Sequence, residues 1–153
     1  MEYNLQPATI AHFQTVLTWI TTQDELRLWG GSALTFPVQG VLTWQEIGAD
    51  DQNTFALLDF EGNVVGFGQA LLRASNTVHL GRIIISPAMR GRGLGRKLCE
   101  QLIQAGIKRY NPIGFTLNVY RCNTTAVNLY RSLGFSVLSE DHELDSYKMG
   151  FLL

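Results

Sequence analysis

Hydrophobic residues recur at helical spacing at Ile10, Phe13, Val16, Leu17 and Ile20, with Thr9 where a cap belongs, so a first helix is expected after a short opening strand that ends over Leu5 to Ala8. A second short helix is expected over Gln23 to Leu28, broken by Trp29-Gly30-Gly31-Ser32, and a weaker one over Val41 to Ile47 beyond Phe36-Pro37. The period then changes. Thr54 to Phe60 and Val64 to Leu72 read as strands joined by Glu61-Gly62-Asn63, a hairpin signal, and Val78 to Ile85 reads as a third. Leu94, Leu98, Leu102, Ile103 and Ile107 trace the apolar stripe of a helix that runs to about Tyr110, where Asn111-Pro112 stops it. Ile113 to Val119 is the next strand. Asn123 can cap a helix with Ala126, Leu129, Tyr130 and Leu133 on one face, Gly134 closes it in the left-handed position, and Phe135 to Leu138 and Ser146 to Leu152 are closing strands. Antiparallel strands first and a strand-helix-strand-helix unit later predict a mixed α/β (α+β) architecture without repeats or linkers.

Length and charge narrow what such a fold can do. At 153 residues the chain is expected to form one domain, residues 1–153, with a core that needs no staple. Twelve Lys and Arg against thirteen Asp and Glu give a net charge of −1, without the broad basic field that nucleic-acid binding requires. Cys99 and Cys122 make no metal-ligand cluster, so no metal is expected. No apolar run approaches the roughly 20 residues that cross a bilayer, and the amino terminus lacks a signal-peptide pattern. The expected address is the cytoplasm, with no membrane partner.

Chemistry concentrates where the third strand ends. Ser86-Pro87 breaks the apolar run Ile83-Ile84-Ile85, and Arg90-Gly91-Arg92-Gly93-Leu94-Gly95-Arg96 leads into the next helix. The first amides of a helix lack partners inside it, its dipole favours negative charge, and glycines let a phosphate approach the backbone. Five basic residues and no acidic one lie between Arg82 and Lys97, which makes a local positive field. The glycine spacing fits neither the dinucleotide-binding Gly-x-Gly-x-x-Gly nor a Walker loop.

Arg90-x-x-Gly93-x-Gly95 resembles the Gln/Arg-x-x-Gly-x-Gly/Ala signature of the GNAT superfamily of acetyl-CoA-dependent N-acetyltransferases. Asn123-x-x-Ala126-x-x-Leu129-Tyr130-x-x-x-Gly134-Phe135 resembles that superfamily's later helix. The resemblance covers Thr77 to Phe135; the first half is similar only in the order of its elements. It implies an acyl-CoA N-acyltransferase fold with a central, mostly antiparallel mixed sheet flanked by helices. It also implies transfer of acetyl from acetyl-CoA directly to a primary amine of a small molecule, peptide or protein, by a monomer or homodimer. The alternative is a catalytically weak acyl-CoA-binding or regulatory module on the same fold.

By that resemblance the amides of Arg90, Gly91, Arg92, Gly93, Leu94, Gly95 and Arg96 hold the pyrophosphate of coenzyme A, and main-chain groups near Ile83 and Ile85 pair with its pantetheine arm. Asn123 and Tyr130, seven residues apart, project from nearly one side of their helix, with small Ala126 between them as a lane for a ligand. The resemblance makes Tyr130 the general acid for the departing thiolate. The base is less direct. Related ribosomal-protein acetyltransferases place a glutamate five residues before the motif asparagine, where this chain has Asn118, which cannot take a proton. Histone-type relatives place one eleven residues before the first motif residue, which is His79 here, an imidazole suited to such work near neutral pH. Bulk water is the competing base. Cys122, without a histidine near it in sequence, is not expected to carry acetyl. The acceptor side is expected over Trp29 to Pro37, with Trp29 as a contact, and over Ser139 to Asp145, where Asp141 and three further carboxylates can attract a cation.

Overall fold

In a computed structural model, which describes residues 2–153, the elements run β1 (Asn4–Pro7), α1 (Ile10–Leu17), α2 (Gln23–Gly30), α3 (Gly40–Glu46), β2 (Thr54–Leu58), β3 (Val64–Leu72) and β4 (Thr77–Ile85). A short 3-10 turn (Pro87–Met89) follows, then α4 (Leu94–Tyr110), β5 (Gly114–Tyr120), α5 (Thr124–Ser132), β6 (Ser136–Asp141) and β7 (Ser146–Leu152). Seven strands form one sheet in the order β1-β2-β3-β4-β5-β7-β6. The β4–β5 pair is parallel, as the helical crossover through α4 requires, while β1–β2, β2–β3, β5–β7 and β6–β7 are antiparallel. The mixed, mostly antiparallel sheet expected from the sequence is therefore present.

The chain divides into two compact units, residues 1–69 with 82–98 and residues 70–81 with 99–153. In the first, α1 and α2 start with reciprocal caps. Thr9 Oγ1 accepts from His12 N–H while His12 Nδ1 accepts from Thr9 N–H, both at 3.1 Å. Thr22 and Glu25 repeat the pattern, and the Glu25 carboxylate also accepts from the hydroxyl and amide of Thr21, which holds it below the usual carboxylate range. The helices bury an aromatic cluster: Phe13 lies 5.3 Å from Phe67, 5.4 Å from Trp44 and 6.2 Å from Trp29 between ring centroids.

Helix α2 runs two residues past its expected end. Gly30 stays helical and lets Leu34 pack where a Cβ would collide with it, so the break falls at Gly31, whose φ of 94° no other residue adopts easily. Trp29 consequently sits on a helix rather than in a glycine loop.

In the second unit α4 lies close on the sheet because Gly106 has no side chain: a Cβ there would come 2.9 Å from the Phe115 ring and 3.4 Å from Val78. Phe115 stacks on Phe151 at 5.5 Å, and Phe151 meets Phe135 edge-on at 4.8 Å. Phe115, Leu117 and Met149 are almost wholly buried and form the centre of this unit.

Candidate active site

The glycine loop lies in the first unit. Ser86 N–H closes on Val65 O at 2.9 Å, Met89 N–H turns back on Ser86 O at 2.9 Å, and the strand direction is lost there as Ser86-Pro87 predicts. Gly91 and Gly93 take φ of 77° and 76°, and a Cβ at either would face open space. These two glycines are required by conformation as well as by access; a branched residue would be strained at either. Gly95 differs, standing inside the first turn of α4. The helix ladder begins with Lys97 N–H on Gly93 O at 3.3 Å, so the amides of Leu94, Gly95 and Arg96 precede it. Arg90 Nε donates to Ile85 O at 3.3 Å, which ties the loop to the strand end. Arg92, Arg96 and Lys97 are exposed around it. An anion with several oxygens fits this arrangement: amide donors, helix dipole and cations coincide.

Tyr130 lies in the second unit, at a place set by how α5 ends. Asn123 Oδ1 accepts from Ala126 N–H at 3.3 Å and starts the helix. At the other end Phe135 N–H bonds Tyr130 O and Gly134 N–H bonds Arg131 O, both at 3.0 Å, with Gly134 at φ 103°: a Schellman motif. Its usual apolar contact is the Tyr130–Phe135 ring pair, edge-on at 6.0 Å. The phenol is thus held by the helix stop, and Tyr130 is only 8% exposed. Burial, with a smaller contribution from the Cys99 thiol, pushes its pKa above the ordinary 10.0, so the hydroxyl keeps its proton throughout the neutral range.

His79 is half-buried on β4, and its Nδ1 lies 2.8 Å from Thr116 Oγ1, directly across the β4–β5 ladder. It alternates with Val78 and Leu80, which face α4, so it projects from the opposite face of the sheet. Tyr130 is linked through Phe135 and Phe151 to Phe115 on the α4 face. The two residues proposed for proton transfer therefore belong to different faces of the second unit's sheet.

The acidic segment is less of a loop than the sequence suggests. β6 continues to Asp141, and a tight turn leads into β7. Asp141 Oδ1 accepts from the amides of Glu143 and Leu144, both at 3.0 Å, so this carboxylate shapes the turn. Asp145 pairs with Arg121 at 3.5 Å, and His142 lies 3.9 Å from Glu140. A depression of about 580 Å³ runs beside the turn, lined by Asn118, Glu140, Asp141, Glu143 and Lys148 among others. Asn118 thus lies beside the acidic turn, a neighbourhood that follows from its place opposite Lys148 in the β5–β7 ladder. Trp29 uses its one polar atom on the protein: Nε1 donates to Arg82 O at 2.8 Å, leaving only its ring for an acceptor.

Sequence reasoning missed Arg82 and Gln69. Gln69 is fully buried in an otherwise apolar strand and accepts from Arg82 Nη1 at 2.9 Å. The available signal was the polar residue within Val64 to Leu72.

A family model described as the acetyltransferase (GNAT) family matches residues 16–135. A spermine/spermidine N(1)-acetyltransferase of Bacillus subtilis is 31% identical over 90 residues, which cover 54% of this chain and 59% of that protein. N-alpha-acetyltransferase 40 of Saccharomyces cerevisiae is 36% identical over 75 residues, covering 44% of this chain and 26% of that one. The match spans 59% of the length of the first of these curated relatives. Among solved structures, spermidine N-acetyltransferase from Vibrio cholerae in complex with CoA and spermine superposes with a TM-score of 0.81 at 17% identity, over 98% of this chain and 95% of that one. A GNAT-family acetyltransferase from Bacillus anthracis gives 0.77 at 12% identity, over 99% and 95%. At these identities the structures speak for the fold.

Proposed function

The chain belongs to the acetyltransferase (GNAT) family, and from that premise we propose that it transfers acetyl from acetyl-CoA to a primary amine, with polyamines as the favoured acceptors. The observation that carries the reading is the glycine loop: two left-handed glycines opening onto the first turn of a helix, with cations around them. Acetyl-CoA supplies the activated acetyl thioester. The amides from Arg90 to Arg96 bind its pyrophosphate, main-chain groups at Ile83 and Ile85 pair with its arm, and Asn123 borders it. Tyr130 holds a proton on its phenol oxygen and gives it to the departing sulfur; burial keeps the phenol protonated at neutral pH. His79, or water beside it, takes a proton from the ammonium so that the neutral amine attacks the thioester carbonyl. The second proton, lost from the nitrogen as the amide forms and the carbon–sulfur bond breaks, restores the one that Tyr130 gives to sulfur.

The polyamine preference is supported by the names of the relatives and by the acidic turn. The support from the turn is partial, because Asp145 pairs with Arg121 and Asp141 is engaged by two amides of the turn. The test is turnover with acetyl-CoA and a panel of spermidine, spermine, a monoamine and an amino-terminal peptide, read as free thiol released and a single acetyl added. Turnover fastest with the polyamines supports the proposal. Binding of acetyl-CoA without acetylation of any amine would instead identify a sensing module.

A further inference from the structure

Arg82 stands inside β4 with a φ of 49°, a left-handed conformation that a long L side chain keeps only when its surroundings hold it. The strand's facing inverts at this residue. Before it, even-numbered Val78 turns toward α4, 3.4 Å from a Cβ placed at Gly106. After it, odd-numbered Ile85 keeps company with Leu98 of α4, the two lying 3.0 Å and 3.3 Å from a Cβ placed at Gly66, while Ile84 packs on the aromatic cluster with Trp29. A strand alternates with period two, so inversion needs one extra residue, and Arg82 is that residue.

Two hydrogen bonds from other elements grip it. Trp29 Nε1 donates to the Arg82 carbonyl at 2.8 Å, its ring held at 6.2 Å from Phe13 and 6.0 Å from Phe67. Arg82 Nη1 donates to Gln69 Oε1 at 2.9 Å, and the Gln69 amide donates in turn to Ile47 O at 3.1 Å and Thr54 Oγ1 at 3.0 Å. Gln69 has no exposed surface, and an apolar residue there would pack without the cost of burying an amide. The indole holds the main chain of Arg82 and the buried amide holds its side chain. Arg82 immediately precedes Ile83.

We infer that Trp29 and Gln69 are positioning residues: they lock Arg82 in its left-handed turn so that the main-chain groups of Ile83 to Ile85 keep the direction needed by the extended arm of the acyl donor. The inference rests on the acetyl-CoA reading above. It separates arm from phosphates, since the glycine loop takes its own shape from the left-handed Gly91 and Gly93 and from the Met89–Ser86 turn, with Arg90 as a side-chain tie to the strand end.

The experiment compares dissociation constants for acetyl-CoA and for 3′-phospho-ADP, which has the phosphates and lacks the arm, in the full chain and in Trp29→Phe, Gln69→Leu, Arg82→Asn and Arg82→Val. Trp29→Phe keeps an aromatic ring and deletes the donor. It should weaken acetyl-CoA about tenfold, roughly the worth of one well-placed hydrogen bond, and lower kcat, while 3′-phospho-ADP stays within about twofold. Gln69→Leu should follow the same split. Arg82→Asn and Arg82→Val both lose the guanidinium, but asparagine tolerates the left-handed region and valine does not, so Asn should retain more acetyl-CoA affinity. Binding of 3′-phospho-ADP reports that a variant is folded; if Arg82→Val does not fold, Trp29→Phe alone decides. Equal losses for the two ligands, or Trp29→Phe and Gln69→Leu indistinguishable from wild type, would overturn the positioning role only. A wild-type chain that binds neither ligand would overturn the acetyl-CoA reading and this role with it.

Discussion

The glycine loop of the first unit and the acidic turn of the second are both short, exposed and charged. In the loop Gly91 and Gly93 take positive φ, the amides of Leu94 to Arg96 precede the helix ladder, and Arg92, Arg96 and Lys97 stand exposed. In the turn Asp141 is engaged by two amides, Asp145 by Arg121, and Glu140 has His142 at 3.9 Å. The loop sets the amides of a helix start beside exposed cations, whereas the turn uses Asp141 and Asp145 in holding its own shape. Local charge alone therefore does not mark a binding surface; the backbone conformation that carries the charge matters as well.

The comparison breaks most visibly at Gly93. Gly93→Asp adds a carboxylate where the loop gathers positive potential, at a φ of 76° that strains any side chain, though aspartate less than a branched one. Turnover should fall at least about a hundredfold through loss of acetyl-CoA binding, since a like charge replaces a phosphate contact. A near-normal KM for acetyl-CoA in the Gly93→Asp variant would show that the loop is not the cradle.

Tyr130→Phe comes next. Steady-state kinetics should show kcat lower by about a hundredfold with acetyl-CoA affinity changed only a few-fold, as loss of a proton donor predicts. The same variant has a signature in stability. The pKa of Tyr130 is raised on folding, so its contribution is fully present below the unfolded value near 10 and is lost as pH climbs through the folded one. Wild type should lose stability above about pH 10 faster than Tyr130→Phe, measured by denaturant unfolding across that range. Identical alkaline profiles would mean that the phenol is not held in its neutral form.

His79→Ala should remove the acidic limb of the kcat/KM profile if the imidazole takes the proton; an unaltered limb leaves water as the base. The smallest effect is expected at the turn. Asp141→Asn keeps the oxygen that accepts from Glu143 and Leu144 and removes only charge, so KM for spermidine should rise no more than about threefold, and only at low salt where exposed charges are unscreened. A tenfold rise that persists at high salt would make Asp141 a direct contact.

Much of this was legible in the chain itself. The apolar periods gave every helix and strand within a few residues, because amphipathic spacing and caps such as Thr9, Asn123 and Gly134 are local. The extension of α2 was not legible: Gly30 reads as a breaker until Leu34 packs against it. Nor was the inversion at Arg82, which depends on Trp29 and Gln69, fifty-three and thirteen residues away. Motif spacing located the glycine loop and Tyr130. It carried no information on which face of the sheet His79 occupies, since that follows from strand register.

The most direct test of the account is thermal unfolding of the wild-type chain with increasing coenzyme A. A cradle that binds its phosphates should raise Tm steadily with ligand concentration, by the stabilisation of about 2.7 kcal/mol expected at a hundredfold excess over Kd, and added amine alone should not reproduce the shift. A Tm that stays flat across millimolar coenzyme A would contradict the proposed cradle and the acetyl-transfer function built on it.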